Sequence, residues 1–211
     1  MHKLSNRTLL VIALLFGMLA TGISIRFIDK QLAALIWALT SSQPFLHKHI
    51  AHIPNTLPKV VVIGTAILWL AYYCMVRRKG ASRQAQFLLL AATVLPVAYL
   101  IKIFLHFAFG RTGIRMWLLA GKPLEFRWFN PLDAGGFPSG HMIVFTAFFT
   151  AVWLYFPRIR PLVIAALSAL ALALMLTSYH FVSDIIAGLC CGILITLSIH
   201  YVMSKTAAPK P

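Results

Sequence analysis

Apolar residues run through this chain in blocks too long for the faces of a water-soluble fold. Six blocks, roughly 8–28, 58–76, 85–107, 140–156, 162–179 and 182–203, come close to or reach the ~20 residues that carry a helix across a ~30 Å hydrocarbon core. A further apolar stretch, "LAALIWALT" from Leu32, is too short to cross and is expected as a helix lying along the interface with one greasy face. Polar segments such as "SSQPFLHKHIAHIPNTLP", "RRKGASRQ" and "PRIRP" separate the blocks. The pattern predicts an all-α polytopic membrane protein with six transmembrane helices and a short interfacial helix after the first span. No internal repeat, low-complexity tract or soluble module interrupts residues 1–211, which read as a single domain.

Composition supports the membrane, since 60% of residues are hydrophobic and 11% are charged. Charge then sets a topology. With the N-terminus cytoplasmic, the cytoplasmic segments hold Lys3, Arg7, Arg77, Arg78, Lys79, Arg83, Arg158, Arg160, Lys205 and Lys210, in short tails and loops beside the spans. Both termini are then cytoplasmic. The other face keeps nine basic residues, including Lys102, and all four acidic ones: Asp29, Glu125, Asp133 and Asp184. Lys3 and Arg7 ahead of "LLVIALLFGMLATG", with small residues from Ala20 to Gly22, also fit a cleavable signal peptide; an uncleaved span leaves the same orientation downstream. The net charge of +15 does not point to nucleic acid, because the cytoplasmic positives come in groups of two to four where anionic headgroups account for them. Cys74, Cys190 and Cys191 fall within predicted spans, with neither a disulfide framework nor metal spacing.

Three stretches on the outer face carry candidate chemistry. In "GGFPSGHMIVF", Pro138 lies in a loop, Ser139 at an N-cap, and Gly140 and His141 in the first turn of the fourth span, where free N–H groups and the helix dipole favour an anion such as phosphate. In "SYHFVSDIIAG", His180 and Asp184 are four apart, so the carboxylate can hold one imidazole nitrogen and leave the other free to attack. In "HFAFGRTGIR", Arg111 and Arg115 follow the third span, with Lys102 and His106 one and two turns back. Arginine suits phosphate oxygens, although a loop arginine is as readily a solvated charge. Each stretch alone also admits a structural reading as a helix start, an ion pair or a headgroup anchor. Their common face is what those readings do not supply.

On these residues the chain resembles the type 2 phosphatidic acid phosphatase (PAP2) superfamily of membrane lipid phosphatases. The Pro-Ser-Gly-His motif is intact at Pro138, Ser139, Gly140 and His141, and the third motif keeps His180 and Asp184 followed by "IIAG". The first motif departs: Arg111 is in register through "FGR", but His106 stands where lysine is expected and Gly113 where the arginine of Arg-Pro should be. The Ser-Arg pair of the third motif is replaced by Ala173 and Leu174.

The resemblance implies attack by His180 on phosphorus to give a phosphohistidine, with Asp184 orienting the ring. His141 would protonate the leaving oxygen and later activate water. Ser139, the Gly140 N–H and Arg111 would bind the phosphate, with His106 and Lys102 near it and Arg115 the first choice to replace the missing arginine, ahead of Arg127. No metal or cofactor is implied. The expected partners are the bilayer and a lipid phosphate such as undecaprenyl diphosphate, phosphatidylglycerophosphate or lipid A, cleaved by water or passed to a second lipid. The expected setting is a bacterial inner membrane with the site on its periplasmic or extracytoplasmic side. The main alternative is a catalytically impaired relative that binds or moves a phosphorylated lipid, favoured by Ala173 and Leu174 and opposed by His141, His180 and Asp184. A channel or transporter would call for paired broken helices, which the pattern lacks.

Overall fold

A computed structural model of the chain describes residues 6–42, 56–80, 82–130 and 136–206. Lys3, Asp133, Gly135, Lys210 and most of the loop after Ser42 lie outside the described residues. The α-helices are α1 (Asn6–Ile23), α2 (Asp29–Thr40), α3 (Leu57–Lys79), α4 (Arg83–Phe109), α5 (Ile114–Ala120), α6 (Gly140–Tyr155), α7 (Arg160–Leu176) and α8 (Val182–Thr206). Their boundaries fall within a few residues of the apolar blocks because the breaks have local causes. Ser82 caps α4 by accepting from Ala85 N–H, Gly110 ends it in the left-handed region at φ 50°, and proline opens α3 and α7.

One expectation changes. The stretch from Leu32 is not a separate helix: α1 passes through a π-helical segment, Ser24–Ile28, straight into α2, so that Leu10–Thr40 forms one apolar helix of 31 residues. No proline or glycine interrupts residues 23–40, and Asp29, which reads in the sequence as the polar end of a span, is buried instead. Length and composition establish five of the six expected spans. Five helices are long and apolar enough to cross a membrane: Leu10–Thr40, Leu57–Arg78, Arg83–Phe109, Pro157–Leu176 and Val182–Thr206. The predicted fourth span is the 16-residue α6, about 24 Å long at 1.5 Å per residue. It packs between α4 and α8 and buries nine of its residues, so protein rather than lipid meets most of it.

The core lies where α4, α6 and α8 meet. Leu90, Val94 and Ala98 of α4 face Ile143, Val144, Ala147 and Ala151 of α6 and Ile195 of α8, with Leu57 and Val61 of α3 closing one side. Close approach of α6 and α8 depends on "GLCCG", a small-xxx-small pattern. A Cβ on Gly188 would lie 2.7 Å from the Ser139 carbonyl oxygen, and one on Gly192 2.7 Å from that of Ile143. Thr196 completes the seam by donating across it to the Ala147 carbonyl at 2.8 Å. By contrast, large apolar side chains on α1 and α3, among them Phe16, Leu19, Val62 and Leu70, point outward as a lipid-facing surface requires. The N-terminal end of α2 and the C-terminal ends of α4 and α7 meet the N-terminal ends of α6 and α8 at one end of the bundle. That is where all three motif stretches converge.

Candidate active site

Residues 136–139 enter α6 as buried irregular backbone, held from three sides. Gly136 N–H donates to the Arg111 carbonyl at 2.9 Å, His106 Nε2 donates to the Pro138 carbonyl at 2.8 Å, and Ser139 N–H donates to the Asp184 carbonyl at 2.9 Å. Non-helical backbone of this kind persists in a membrane protein only where protein satisfies it. Ser139 then caps α6, its Oγ accepting from Met142 N–H at 3.3 Å. The first turn of α6 faces a cavity of about 440 Å³, lined by Gly140 and His141 together with Lys102, His106, Arg115, Tyr179 and His180. A Cβ on Gly140 would lie 2.7 Å from the Lys102 stem, so a larger residue there would displace that lysine.

At the back of the cavity His180 and Asp184 meet as their spacing predicts. His180 Nδ1 is 3.4 Å from Asp184 Oδ2, a long contact. The same oxygen accepts from Phe181 N–H at 2.9 Å, so the carboxylate also caps α8. Across the cavity the His141 and His180 rings lie 6.0 Å apart between centroids. Tyr179 sits beside both, 5.7 Å from His141 and 5.4 Å from His180.

The two arginines divide. Arg115 lines the cavity with its guanidinium 4.9 Å from the Tyr179 ring and Nη2 donating to the Thr177 carbonyl at 2.9 Å. Burial raises the Tyr179 phenol above its ordinary value, with the Arg115 charge opposing, so the hydroxyl stays neutral. Burial also lowers Arg115, opposed by Tyr179, from a value high enough that the guanidinium keeps its charge. Arg111, expected on the phosphate, does not line the cavity. It is 1% exposed, with Nη1 donating to Ser183 Oγ at 2.6 Å and Asp184 Oδ1 at 2.5 Å and Nη2 to Asp29 Oδ2 at 2.7 Å. The rings of Phe181, Phe126 and Phe137 surround it at 4.4, 5.3 and 5.7 Å. Its buried acidic partners explain the difference. Residues 125–129 fold back along the end of α4, with Arg127 N–H donating to the Gly110 carbonyl, and lay the Phe126 ring over the Arg111 guanidinium. A Cβ on Gly110 would collide with the Arg127 carbonyl, which is why "FGR" carries glycine there.

Other predicted residues fall into place around these. Ser139 is fully buried and does not line the cavity. Lys102 and His106 do line it. Arg127 is exposed and pairs with Glu125 at 2.6 Å, away from the cavity. Among the described residues no group of three or more His, Cys, Asp or Glu is placed to hold a metal ion. Cys74, Cys190 and Cys191 are free thiols. Sequence reasoning missed Asp29 as a member of this cluster; its one signal was an acid inside an apolar block.

The PAP2 superfamily model matches residues 87–207, more than half the chain, and that span contains the whole cavity except Leu57 and Pro58. The chain belongs to the PAP2 superfamily. Two relatives carrying the name lipid A 1-phosphatase, from Rhizobium etli (strain ATCC 51251 / DSM 11541 / JCM 21823 / NBRC 15573 / CFN 42) and Rhizobium johnstonii (strain DSM 114642 / LMG 32736 / 3841), are each 45% identical to it over 56 residues. That stretch is 26% of this chain and 24% and 23% of theirs, so the match spans about a quarter of the length of these relatives. No solved structure is a significant match. Within the PAP2 pattern, Leu174 stands where the third-motif arginine is expected, and here it is buried against Met142 and Ile185. Lys102 and Arg115 are the Lys and Arg side chains that line the cavity.

Proposed function

We propose that this PAP2 protein removes a phosphate group from a membrane lipid through a phosphohistidine formed on His180. The observation that carries the proposal is the opposition of His180, backed by Asp184, and His141 across a basic cavity at one end of an apolar bundle. A nucleophile needs a neighbour that fixes its ring, and a leaving alkoxide needs a proton donor on the other side. The resemblance assigns those tasks to His180 with Asp184 and to His141. Lys102, Arg115 and the first-turn amides of α6 stabilise charge on the phosphoryl oxygens. Transfer to a second lipid uses the same intermediate with another acceptor in place of water.

The apolar flank of the cavity, Leu57, Pro58, Tyr99 and Met116, suits a substrate that keeps its chains in the bilayer while its phosphate enters. The named activity of the two relatives makes lipid A the first substrate to try, with phosphatidylglycerophosphate and undecaprenyl diphosphate beside it. Purified protein incubated with each lipid should release phosphate from at least one. Tight binding of a lipid phosphate with no release from any would favour the impaired relative, the reading that Leu174 supports. We place the cavity on the periplasmic or extracytoplasmic side with both termini cytoplasmic. In a variant lacking the native cysteines, an impermeant thiol reagent added outside should label Lys122→Cys and not Arg78→Cys; the reverse labelling inverts the topology.

A further inference from the structure

The family match begins at residue 87, yet the charge cluster behind His180 is completed by a residue far upstream of it. We infer that Asp29 is a positioning residue for the reaction at His180, holding Asp184 in place through Arg111 and Ser183. The inference rests on the reading of His180 as nucleophile.

Asp29 is 1% exposed and accepts three hydrogen bonds: from Ser183 N–H at 3.1 Å, from Ser183 Oγ at 2.5 Å and from Arg111 Nη2 at 2.7 Å. The partners it engages are those that touch Asp184 or adjoin it in α8. Arg111 is thus clamped between two carboxylates, one from α2 and one from α8. If the guanidinium served Asp184 alone, no second acid would be needed, and burying one is costly unless it is paired and hydrogen-bonded.

The helix is shaped to deliver this side chain. Ser24 and Asp29 are both buried although they are five residues apart, a step that in a regular α-helix turns the second about 140° away from the first. The π-helical segment Ser24–Ile28 removes the mismatch, because its i→i+5 bonding, here Asp29 N–H to the Ser24 carbonyl, brings residues five apart onto one side. Ala33 and Thr40 continue the buried face beyond it.

Charge gives the arrangement its consequence. Two carboxylates and one guanidinium leave the buried cluster with one net negative charge behind His180. In front of the ring stand Lys102 from α4 and Arg115 from α5, whose charges attract phosphate and oppose positive charge on the imidazole, with His141, His106 and Tyr179 beside them. A ring that becomes cationic as it bonds to phosphorus therefore draws its compensation from behind. Asp29 supplies the excess negative charge and stops Arg111 from pulling Asp184 off the ring.

The test compares Asp29→Asn, Asp29→Glu and Ser183→Ala with Arg111→Gln, the double variant Asp29→Asn/Arg111→Gln and the exposed neighbour Lys30→Gln. Phosphate release is measured per monodisperse protein molecule, with kcat and KM separated. Asp29→Asn should lower kcat about 10- to 100-fold, the range for removing a partner behind a reacting residue, and change KM less than about threefold. Asp29→Glu should restore part of the loss, Ser183→Ala should lower kcat in the same direction, and Lys30→Gln should match wild type. The double variant should cost less than the two single losses combined, because part of the effect of Asp29 passes through that arginine. An unchanged kcat per folded molecule in Asp29→Asn, with only the yield of folded protein reduced, would overturn the inference. So would Asp29→Glu performing no better than Asp29→Asn. His180→Ala is the reference: if it still turns over, the nucleophile assignment fails, whereas an inactive His180→Ala beside an unaffected Asp29→Asn sinks only the role given to Asp29.

Discussion

Arg111 and Arg115 stand four residues apart in one segment, and the regions they occupy differ in what their charge is for. Behind His180, Arg111 is surrounded by aromatic rings and bonded to Asp29, Ser183 and Asp184. Beside the cavity, Arg115 holds one backbone carbonyl and one ring face and, among the described residues, meets no carboxylate. The first charge is committed to the buried cluster and the second borders the cavity. Residue type and spacing are the same in both; the partners decide the role. Removing one member of a buried pair leaves an uncompensated charge, at about 3–5 kcal/mol, so Arg111 is a stability residue as well as a positioning one.

The largest expected effect lies in the rear region. Asp184→Asn keeps the side-chain shape but removes the charge that faces both His180 and Arg111. By analogy with replacing the orienting acid of a catalytic triad, kcat should fall by about 10⁴-fold. A loss below about tenfold would mean that the rear cluster holds the fold and not the ring. Next comes the front region, where Arg115→Ala should lower phosphate release about 10²- to 10³-fold, as removal of a transition-state donor does, while leaving the folded yield near wild type. Arg115→Lys should recover part of the rate. An Arg115→Ala protein with unchanged rate would shift the phosphate-binding role to Lys102. The smallest effect belongs to a third arginine, Arg127, whose ion pair with Glu125 is exposed and remote from the cavity. Arg127→Ala should stay within about twofold of wild type in both rate and yield, and a larger loss of rate would bring the 125–129 segment into the site.

Much of the fold was legible because lipid-facing helices write their length into the sequence as apolar blocks. The motif residues were legible for a local reason: His180 and Asp184 share one helix start, and Ser139, Gly140 and His141 another. Arg111 was misplaced because its inward turn is dictated by partners 72, 73 and 82 residues away. Asp29 stayed hidden for a related reason, since a regular α-helical period puts it on the wrong side of its helix and only the π segment brings it round. The apolar block of α6 was legible as a helix, but composition does not distinguish lipid from protein as the surrounding medium. "GLCCG" was visible as letters, but its meaning depends on which helix lies against it.

The central claim is that His180 carries the phosphoryl group, and trapping that group tests it most directly. Protein mixed with a lipid labelled in its phosphate and quenched in base within the first turnovers should hold label on a peptide containing His180, in the base-stable, acid-labile form of phosphohistidine. His180→Ala should show neither label nor phosphate release, and His141→Ala should accumulate label if any phosphoenzyme forms, because water is no longer activated. Phosphate release by His180→Ala at a rate near wild type, or label found on another residue, would contradict the account.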